Sequence, residues 1–526
     1  MNRRCTFVPL FVCLAALTPA HAQDPVGAIE GLVTDATDRP ISAAHVAAKD
    51  LDTGFARETI TGTTGLFRLP LLPVGRYRVT VEAPQFATLT QEPITVNISQ
   101  TVRVELQLAL ATVKSTVTVT AEAPLVDAST NTLGAVVTGR EILDLPLNGR
   151  NFTQLGLLQN GTAPLTSGLV EAGGPLRQGE TYAVNGARPE ENMYTIDGAQ
   201  NVNRMDSGYA LKIPVDAIAE FRILTETAPP EYGGTAGATT AVVTRSGAND
   251  LHGGLYEFIR NDTLDTRNFF SAQTLPLKQN QFGGTLGGPV KRDRLFFFLY
   301  YEGFRNRQGV TTSATVPSAE QRTGNFSGIG GPLINFAAGG VPFPGNQIPA
   351  QAINPVALNV LQLYPLGNVS PNLYRTDVTG TNDYDQAGAR VDFNASAKDQ
   401  LFARFSYSGG YDFNPVSVRG TPVPGFPTRD DIKTDSAELS NTHVFSPGLT
   451  NSLRATFLRY IFDFDLRLDQ TPPSALGFDY PSANVAGQGP PFFNLLGYSS
   501  VGGAITGPRD SAQNSFQEKE GLSWVK

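Results

Sequence analysis

The sequence predicts a mostly β protein in three successive parts: an N-terminal β-sandwich, a small α+β domain and a series of long strands. Glycine (53), proline (37) and the aromatic pair phenylalanine and tyrosine (31 and 16) are abundant, which favours short strands and turns over helices. Many segments also alternate apolar and polar residues with a period of two. Beyond residue 22 no run approaches about 18 apolar residues, so the pattern excludes a helical membrane protein.

The first 22 residues have the three-part pattern of a cleavable secretory signal. Arg3 and Arg4 precede an apolar run, and Ala20-His21-Ala22 lies before Gln23. The run is too short to cross a hydrocarbon core of about 30 Å, so we expect cleavage and not a membrane anchor. Both cysteines lie in this segment, which excludes disulfides and thiol chemistry from the mature chain.

Residues 26–110 are predicted to form the β-sandwich. Tyr77, Val79 and Val81 alternate with charged and hydroxyl residues, as expected for a strand with one buried face. The segment resembles the carboxypeptidase regulatory-like domain, through Gly31-Leu32-Val33-Thr34-Asp35, Gly65-Leu66-Phe67 and Leu72-Pro73-Val74-Gly75-Arg76-Tyr77.

Composition and residue spacing argue against a zinc site, an enzymatic reaction centre and nucleic-acid binding. His45, His252 and His443 are isolated, and none is followed by a glutamate within four residues, so we predict no zinc site. No pair of catalytic carboxylates is recognisable, so we predict neither catalytic residues nor a cofactor. The net charge of −8 argues against nucleic acid as a partner.

The segment 213–260 marks the change from the α+β domain to the long strands. It resembles the end of the plug and the first barrel strand of TonB-dependent outer-membrane transporters, specifically the Oar-like subgroup. The resemblance lies in four motifs: Ala217-Ile218-Ala219-Glu220-Phe221-Arg222, Glu231-Tyr232-Gly233, Val242-Val243-Thr244-Arg245-Ser246-Gly247 and His252-Gly253-Gly254-Leu255-Tyr256-Glu257-Phe258.

The resemblance implies a linker over residues 111–127 that contains a TonB box. The candidate box is Val117, Thr118, Val119 and Thr120, a β-branched strand with no obvious neighbour. Such a strand can add to the edge of another protein's sheet, here that of the periplasmic C-terminal domain of TonB. A last strand of the sandwich or a plain linker remain alternatives.

Residues 128–247 are then expected to be the plug domain. A short helix is predicted near residues 138–145, before Pro146, and Asn-Gly and Asp-Gly pairs predict turns with positive φ. The resemblance implies that Arg188 and Asp197 hold loops in place, with a direct role in substrate binding as the alternative. The plug motifs that we single out are Asn148, Gly149, Arg150, Asn185, Gly186, Arg188, Asp197, Gly198, Glu231, Tyr232 and Gly233.

Residues 250–526 are predicted to form the N-terminal part of a transmembrane β-barrel. The clearest hairpin spans residues 387–408 with a turn at 396–399, and another closes at 291–293. Residues 306–383 are predicted to form a long external loop with a short helix at 353–364. The apolar face of the strands is expected to face lipid, although alternation alone fits a soluble sandwich with that face inside.

A barrel that holds a plug needs about 22 strands, whereas residues 250–526 provide about seven to nine. We therefore expect an incomplete barrel and a fragment or truncated product. The leading functional hypothesis is energised uptake of an unidentified ligand through the outer membrane of a Gram-negative bacterium, with TonB and outer-membrane lipid as partners. The alternative is a secreted or surface adhesin or carbohydrate-binding protein, and the substrate is not readable from the sequence.

Overall fold

The computed structural model describes most of the chain. The described residues are 26–111, 116–119, 133–164, 182–204, 208–226, 236–267, 269, 273–416, 421–446, 448–466, 472–480, 489–503 and 509–524. Strands dominate them, as the sequence predicts. No helix within these ranges is long and apolar enough to cross a membrane.

The N-terminal domain is a sandwich of two sheets around one apolar core. Tyr77, Val79 and Val81 are fully buried, as their alternation predicts, and they pack against residues such as Ile29 and Val104. One sheet has the order β4-β1-β7 and the other the order β3-β2-β5-β6-β8. The strands are β1 (Val26–Asp35), β2 (His45–Asp50), β3 (Ala56–Ile60), β4 (Leu66–Pro73), β5 (Gly75–Glu82), β6 (Thr88–Val96), β7 (Thr101–Leu108) and β8 (Thr116–Val119).

Strand β8 contains three residues of the candidate TonB box, and it has a neighbour that the sequence did not reveal. It pairs in parallel with β6, from Thr88 opposite Thr116 to Gln91 opposite Val119. The strand is therefore the outermost member of the five-stranded sheet. This position corresponds to the sandwich-strand alternative, although an edge strand still has one free side for strand addition. Thr120 lies outside the described residues.

The middle domain contains a five-stranded mixed sheet of order β13-β12-β15-β14-β9 and a separate pair β10-β11. Its core is aromatic, with the rings of Phe152 and Tyr209 in edge contact at 5.2 Å. The predicted short helix is α1 (Gly139–Asp144). The strands are β9 (Leu133–Thr138), β10 (Thr162–Pro164), β11 (Tyr182–Val184), β12 (Met193–Ile196), β13 (Ala199–Gln200), β14 (Ile218–Glu226) and β15 (Thr239–Thr244).

The C-terminal part is one antiparallel sheet of eight strands in the order β16-β17-β18-β21-β22-β23-β24-β25. The predicted hairpins at 291–293 and 396–399 are present in it. The strands are β16 (His252–Asn261), β17 (Leu277–Lys291), β18 (Leu295–Thr315), β21 (Leu373–Asn394), β22 (Asp399–Asn414), β23 (Thr428–Ser446), β24 (Leu449–Leu466) and β25 (Arg509–Trp524).

The long loop is shorter than the sequence analysis predicted. Strand β18 continues to Thr315 and β21 starts at Leu373, so the predicted loop boundaries at 306 and 383 are wrong. The β-branched run around Thr311 favours extended backbone, and pairing between the two strands continues through it. The connection contains α2 (Ala319–Arg322), β19 (Ile334–Asn335), β20 (Val341–Pro342) and α3 (Pro355–Leu361), the last within the predicted helix.

The two faces of the eight-stranded sheet differ in polarity. The face towards the middle domain, here called the inner face, carries buried polar residues such as Ser406 and Glu438. The opposite, outer face carries exposed apolar side chains, including Leu255 (93% exposed), Leu439 (63%) and Phe405 (52%). The sheet is therefore inverted relative to a soluble sandwich, in which the apolar face would be inside.

Candidate functional site

The inner face contacts the middle domain at Asp197, which begins an Asp-Gly turn. Positive φ values at Asp197 (49°) and Gly198 (83°) give a tight turn between β12 and β13, as the dipeptide predicts. The Asp197 carboxylate is fully buried and accepts hydrogen bonds from the Thr244 amide (2.9 Å) and hydroxyl (2.8 Å). The Asp197 side chain thus links the turn to Thr244, at the C-terminal end of the middle domain.

Two arginines of the sheet neutralise this carboxylate. Arg404 on β22 lies 3.1 Å from it and Arg390 on β21 lies 3.3 Å away. Burial, the largest effect, raises the pKa of Asp197, but the two guanidinium groups and Thr244 outweigh it, and the pKa is lower than usual. Asp197 therefore carries a negative charge at neutral pH and is paired across the domain boundary.

The ion pairs continue along the inner face. Glu438 on β23 accepts a hydrogen bond from Arg404 (2.6 Å) and lies 3.0 Å from Arg454 on β24. Arg390 also binds Asp392 at 2.8 Å. Opposite charges alternate through this buried cluster, which compensates the desolvation that each charge would otherwise suffer.

A second contact centres on Arg150, another residue that the sequence analysis selected. Its guanidinium group donates a hydrogen bond to Asp216 within the middle domain and lies 3.8 Å from Glu302 on β18. It also lies over the rings of Tyr256 (4.7 Å) and Phe258 (4.6 Å) on β16. Arg150 therefore contacts both the charged and the aromatic side chains of the sheet.

The main chain before Arg150 is also bound by the sheet. Asn148 begins a short 3₁₀ turn in which Gly149 has a φ of 61°. The Gly149 carbonyl accepts a hydrogen bond from the Gln281 amide of β17 at 3.3 Å. The Asn-Gly pair predicts this turn, but its partner on the sheet could not be inferred from sequence.

Three further predicted plug residues, Asn185, Gly186 and Arg188, lie in another part of the middle domain. Asn185 and Gly186 form the expected turn, with φ values of 51° and 80°, and the Asn185 amide donates to the Thr225 carbonyl at 2.9 Å. Arg188 is exposed. Glu231, Tyr232 and Gly233 lie outside the described residues.

Strand β25 contributes three residues that sequence reasoning missed. Gln517 exchanges two hydrogen bonds with the main chain of Gln200, at 2.8 and 2.9 Å. Gln513 donates to the Val202 carbonyl (3.0 Å) and Lys519 to the Gly198 carbonyl (2.8 Å). Their even spacing places all three on one face of a strand, which was the available signal.

The interface is also partly apolar. Phe298 and Tyr300 of β18 belong to the same buried cluster as the core of the middle domain. Together with the ion pairs they attach the middle domain to the inner face.

The three histidines outside the predicted signal lie on separate elements. His45 pairs with Glu58 at 3.2 Å, His443 with Asp399 at 2.6 Å, and the His252 ring stacks on Phe298. Within the described ranges no group of three potential metal ligands occurs. The ion pairs and hydrogen bonds at the interface thus bind the middle domain to the sheet.

An antiparallel sheet with an exposed apolar face and a polar face packed on another domain is the arrangement of a protein whose sheet faces lipid. Residues 243–526 match the family described as outer membrane beta barrel domain, and the chain belongs to this family. It is located in the outer membrane of a Gram-negative bacterium. Residues 28–109 match the carboxypeptidase regulatory-like domain, as the sequence motifs predict.

The chain is similar to the TonB-dependent transporter Oar of Myxococcus xanthus. The two are 28% identical over 309 residues, which are 57% of this chain and 28% of that protein. This match confirms the predicted resemblance to Oar-like proteins. The chain spans less than a third of the length of this relative.

Similar solved structures include the siderophore receptor PirA from Acinetobacter baumannii and the outer membrane transporter YddB from Escherichia coli. PirA has 16% identity and a TM-score of 0.40, with coverage of 70% of this chain and 43% of that chain. YddB has 13% identity and a TM-score of 0.45, with coverage of 74% and 45%.

Proposed function

We propose that the chain is the N-terminal part of a TonB-dependent outer-membrane transporter. In this proposal the eight-stranded sheet is part of the barrel wall, and the middle domain is the plug on its lumen side. The single observation that carries the proposal is the inverted sheet, because its apolar face is exposed while its polar face is buried on the middle domain. In a soluble sandwich, the apolar face of the sheet would be buried and the polar face would be exposed to water.

The contacts of the middle domain support a plug that can move. A contact made largely of ion pairs and hydrogen bonds can exchange its partners for water, whereas an apolar core loses its stabilisation when it opens. The links through Asp197, Arg150 and Gln517 are all of this exchangeable kind. The energy would come from a pull by TonB, and no covalent step is required.

Strand β8 supports TonB as the partner. Its outer side has no neighbouring strand among the described residues, and main-chain hydrogen bonds to an edge strand give affinity without a strict sequence requirement. The periplasmic C-terminal domain of TonB would add a strand there. The transported ligand is not identified by the chain.

The experiment measures binding of the full chain, purified from outer membranes in detergent, to the immobilised C-terminal domain of TonB. The parent chain is expected to bind, and deletion of residues 117–120 is expected to abolish binding because it removes the edge strand. The matched control is deletion of residues 337–340, four exposed loop residues on a different part of the chain. Equal binding by the parent chain and the 117–120 deletion would contradict the assignment of the box.

A further inference from the structure

A charged pair of the middle domain contacts the sandwich. Glu220 and Arg222 lie two residues apart on β14, so both side chains point to the same face. Both are buried, although the core of the middle domain lies on the other face, with Phe221 and Ile223. The buried face of the pair therefore needs a covering group.

That covering group is a turn of the sandwich. Ile98 lies between β6 and β7 and is almost completely buried. Its amide donates to the Glu220 carboxylate at 2.7 Å, and its carbonyl accepts a hydrogen bond from the Arg222 guanidinium group. Both main-chain polar groups of Ile98 are therefore hydrogen-bonded. Glu220 is the acceptor for its amide, and Arg222 is the donor to its carbonyl.

The Ile98 side chain completes the contact. It belongs to a small apolar cluster with Ala241 and Val243 of β15, the residues directly opposite Arg222 and Glu220 in the sheet. Val74 and Ala219 pack at the edge of this cluster. The site therefore recognises an apolar residue in a turn, with its main-chain polar groups pointing inwards.

We propose that Glu220, Arg222, Ala241 and Val243 form a docking site for Ile98, through which the sandwich is fixed to the middle domain. The contact combines a hydrogen-bond acceptor and a donor for the two main-chain groups of Ile98 with a buried apolar anchor, the Ile98 side chain. Without the turn, the buried Glu220 carboxylate would have to be hydrated or paired with Arg222. Docking replaces that hydration by a hydrogen bond from the Ile98 amide, and the hydrogen bond that Arg222 donates to the Ile98 carbonyl is charge-assisted.

A second link sets the orientation of the docked sandwich. The Asp52 carbonyl, in the turn after β2, accepts a hydrogen bond from the Asn249 amide at 2.9 Å. Asn249 exchanges hydrogen bonds with Asp293, in the turn between β17 and β18, both at 2.8 Å. The sandwich is thus held at Ile98 and guided at Asp52.

The docking site has a mechanical consequence, which rests on the proposed function. Strand β6 pairs with β8 and ends at Val96, two residues before Ile98. A pull on β8 would therefore reach β14 through β6 and Ile98, in addition to the covalent connection. The sandwich and the middle domain would move as one body.

The test measures how fast a thiol reagent reaches position 241. Ala241→Cys is introduced into the full chain in detergent, and labelling of the chain without this substitution gives the background. Ala241 is buried beneath Ile98, so labelling is expected to be slow while the sandwich is docked. Adding Glu220→Ala is expected to accelerate labelling about tenfold or more, because it leaves the buried Ile98 amide without its acceptor.

A second variant tests docking without a further substitution in the middle domain, so that faster labelling cannot be ascribed to misfolding of that domain. Ile98→Glu changes only the sandwich turn and places a carboxylate beside Glu220, so it should accelerate labelling at least as strongly. The control is Glu92→Gln, which removes a charge that pairs with Arg78 within the sandwich, and it should leave the rate unchanged. Unchanged labelling in either test variant, or equal acceleration in the control, would overturn the docking site. Because neither TonB nor a ligand is present, this result is independent of the proposed transport function.

Discussion

Asp197 shows why an Asp-Gly turn can have a role beyond chain reversal. The turn itself needs only positive φ at two residues, which asparagine or glycine would also accept. The carboxylate, however, is fully buried and pairs with Arg390 and Arg404 on strands about 200 residues away in sequence. The aspartate is therefore explained by the interface and not by the turn.

Removing the Asp197 carboxylate should strongly destabilise the chain. Asp197→Ala leaves Arg390 and Arg404 with one buried carboxylate partner each instead of two, and removes the acceptor of the Thr244 amide, which should lower the free energy of unfolding by about 3–5 kcal/mol. The matched control is Asp385→Ala, which breaks a half-exposed pair with Arg305 and should cost only about 0–1 kcal/mol. Urea unfolding in detergent measures both, and equal losses would contradict the role of Asp197.

Glu220 should make docking of the sandwich depend on pH. Burial, the largest effect, raises the pKa of Glu220 from 4.5 to about 7, against the opposing influence of the Ile98 amide and Arg222. Because the pKa is raised in the docked state, the stabilisation is complete below pH 4.5 and is lost as the pH rises to about 7. Glu220→Gln remains able to accept the Ile98 hydrogen bond but does not titrate.

The corresponding measurement compares the thermal unfolding of the parent chain and Glu220→Gln in detergent at two pH values. The two should unfold at similar temperatures near pH 4.5, and the variant should be more stable at pH 7.5 because it avoids a buried charge. A temperature difference that is the same at both pH values would show that Glu220 does not titrate in this range.

At the scale of single strands, the sheet shows both the strength and the limit of sequence patterns. The alternation at residues 387–408 predicted the hairpin, its turn and the two sets of residues that share a face. It could not tell which set faces water, since inside and outside are decided by what covers each face. The structure decides this by burying Arg404 and Ser406 and exposing Phe405.

An arginine at position 439 tests whether the outer face lies in lipid. Leu439 is near the centre of β23 and opposite Ala403 and Ala455 on the adjoining strands. In a bilayer Leu439→Arg should cost about 2–4 kcal/mol, whereas on a water-exposed face it should cost no more than about 0.5 kcal/mol. Leu439→Ala removes the side chain without adding charge and isolates the charge effect. Unfolding in lipid vesicles distinguishes the two cases, and a negligible cost of the arginine would contradict a lipid-facing surface.

Strand β8 marks a point where local sequence was insufficient. Its composition predicted a strand, and the sequence left open whether that strand was free or belonged to the sandwich. Pairing with β6 is parallel and joins residues 28 positions apart, such as Thr88 and Thr116. Because parallel strands are not joined by a hairpin turn, no turn sequence indicates this pairing. For the same reason the partners of Asp197, Arg150 and Ile98 could not be predicted, since each lies on a different domain or a distant strand.

At the scale of the whole molecule, three domains are linked by contacts of different character. The sandwich is attached to the middle domain by a compact site at Ile98, and the middle domain is attached to the sheet by ion pairs, hydrogen bonds and a few aromatic side chains. The sheet in turn leaves its apolar face exposed. Exposed apolar surface of this extent marks a surface that contacts another apolar phase, in agreement with the outer-membrane family of the chain.

The most direct test of this account is the accessibility of spin labels at two neighbouring positions of β22 in lipid vesicles. Phe405→Cys and Ser406→Cys place a label on the outer and inner faces of the same strand, at residues that are exposed and fully buried, respectively. If the outer face lies in lipid, the label at position 405 should collide readily with oxygen, which dissolves in lipid, and poorly with a water-soluble nickel complex, while the label at 406 should be shielded from both. A label at 405 that is shielded from oxygen, or that collides mainly with the nickel complex, would contradict a lipid-facing outer face.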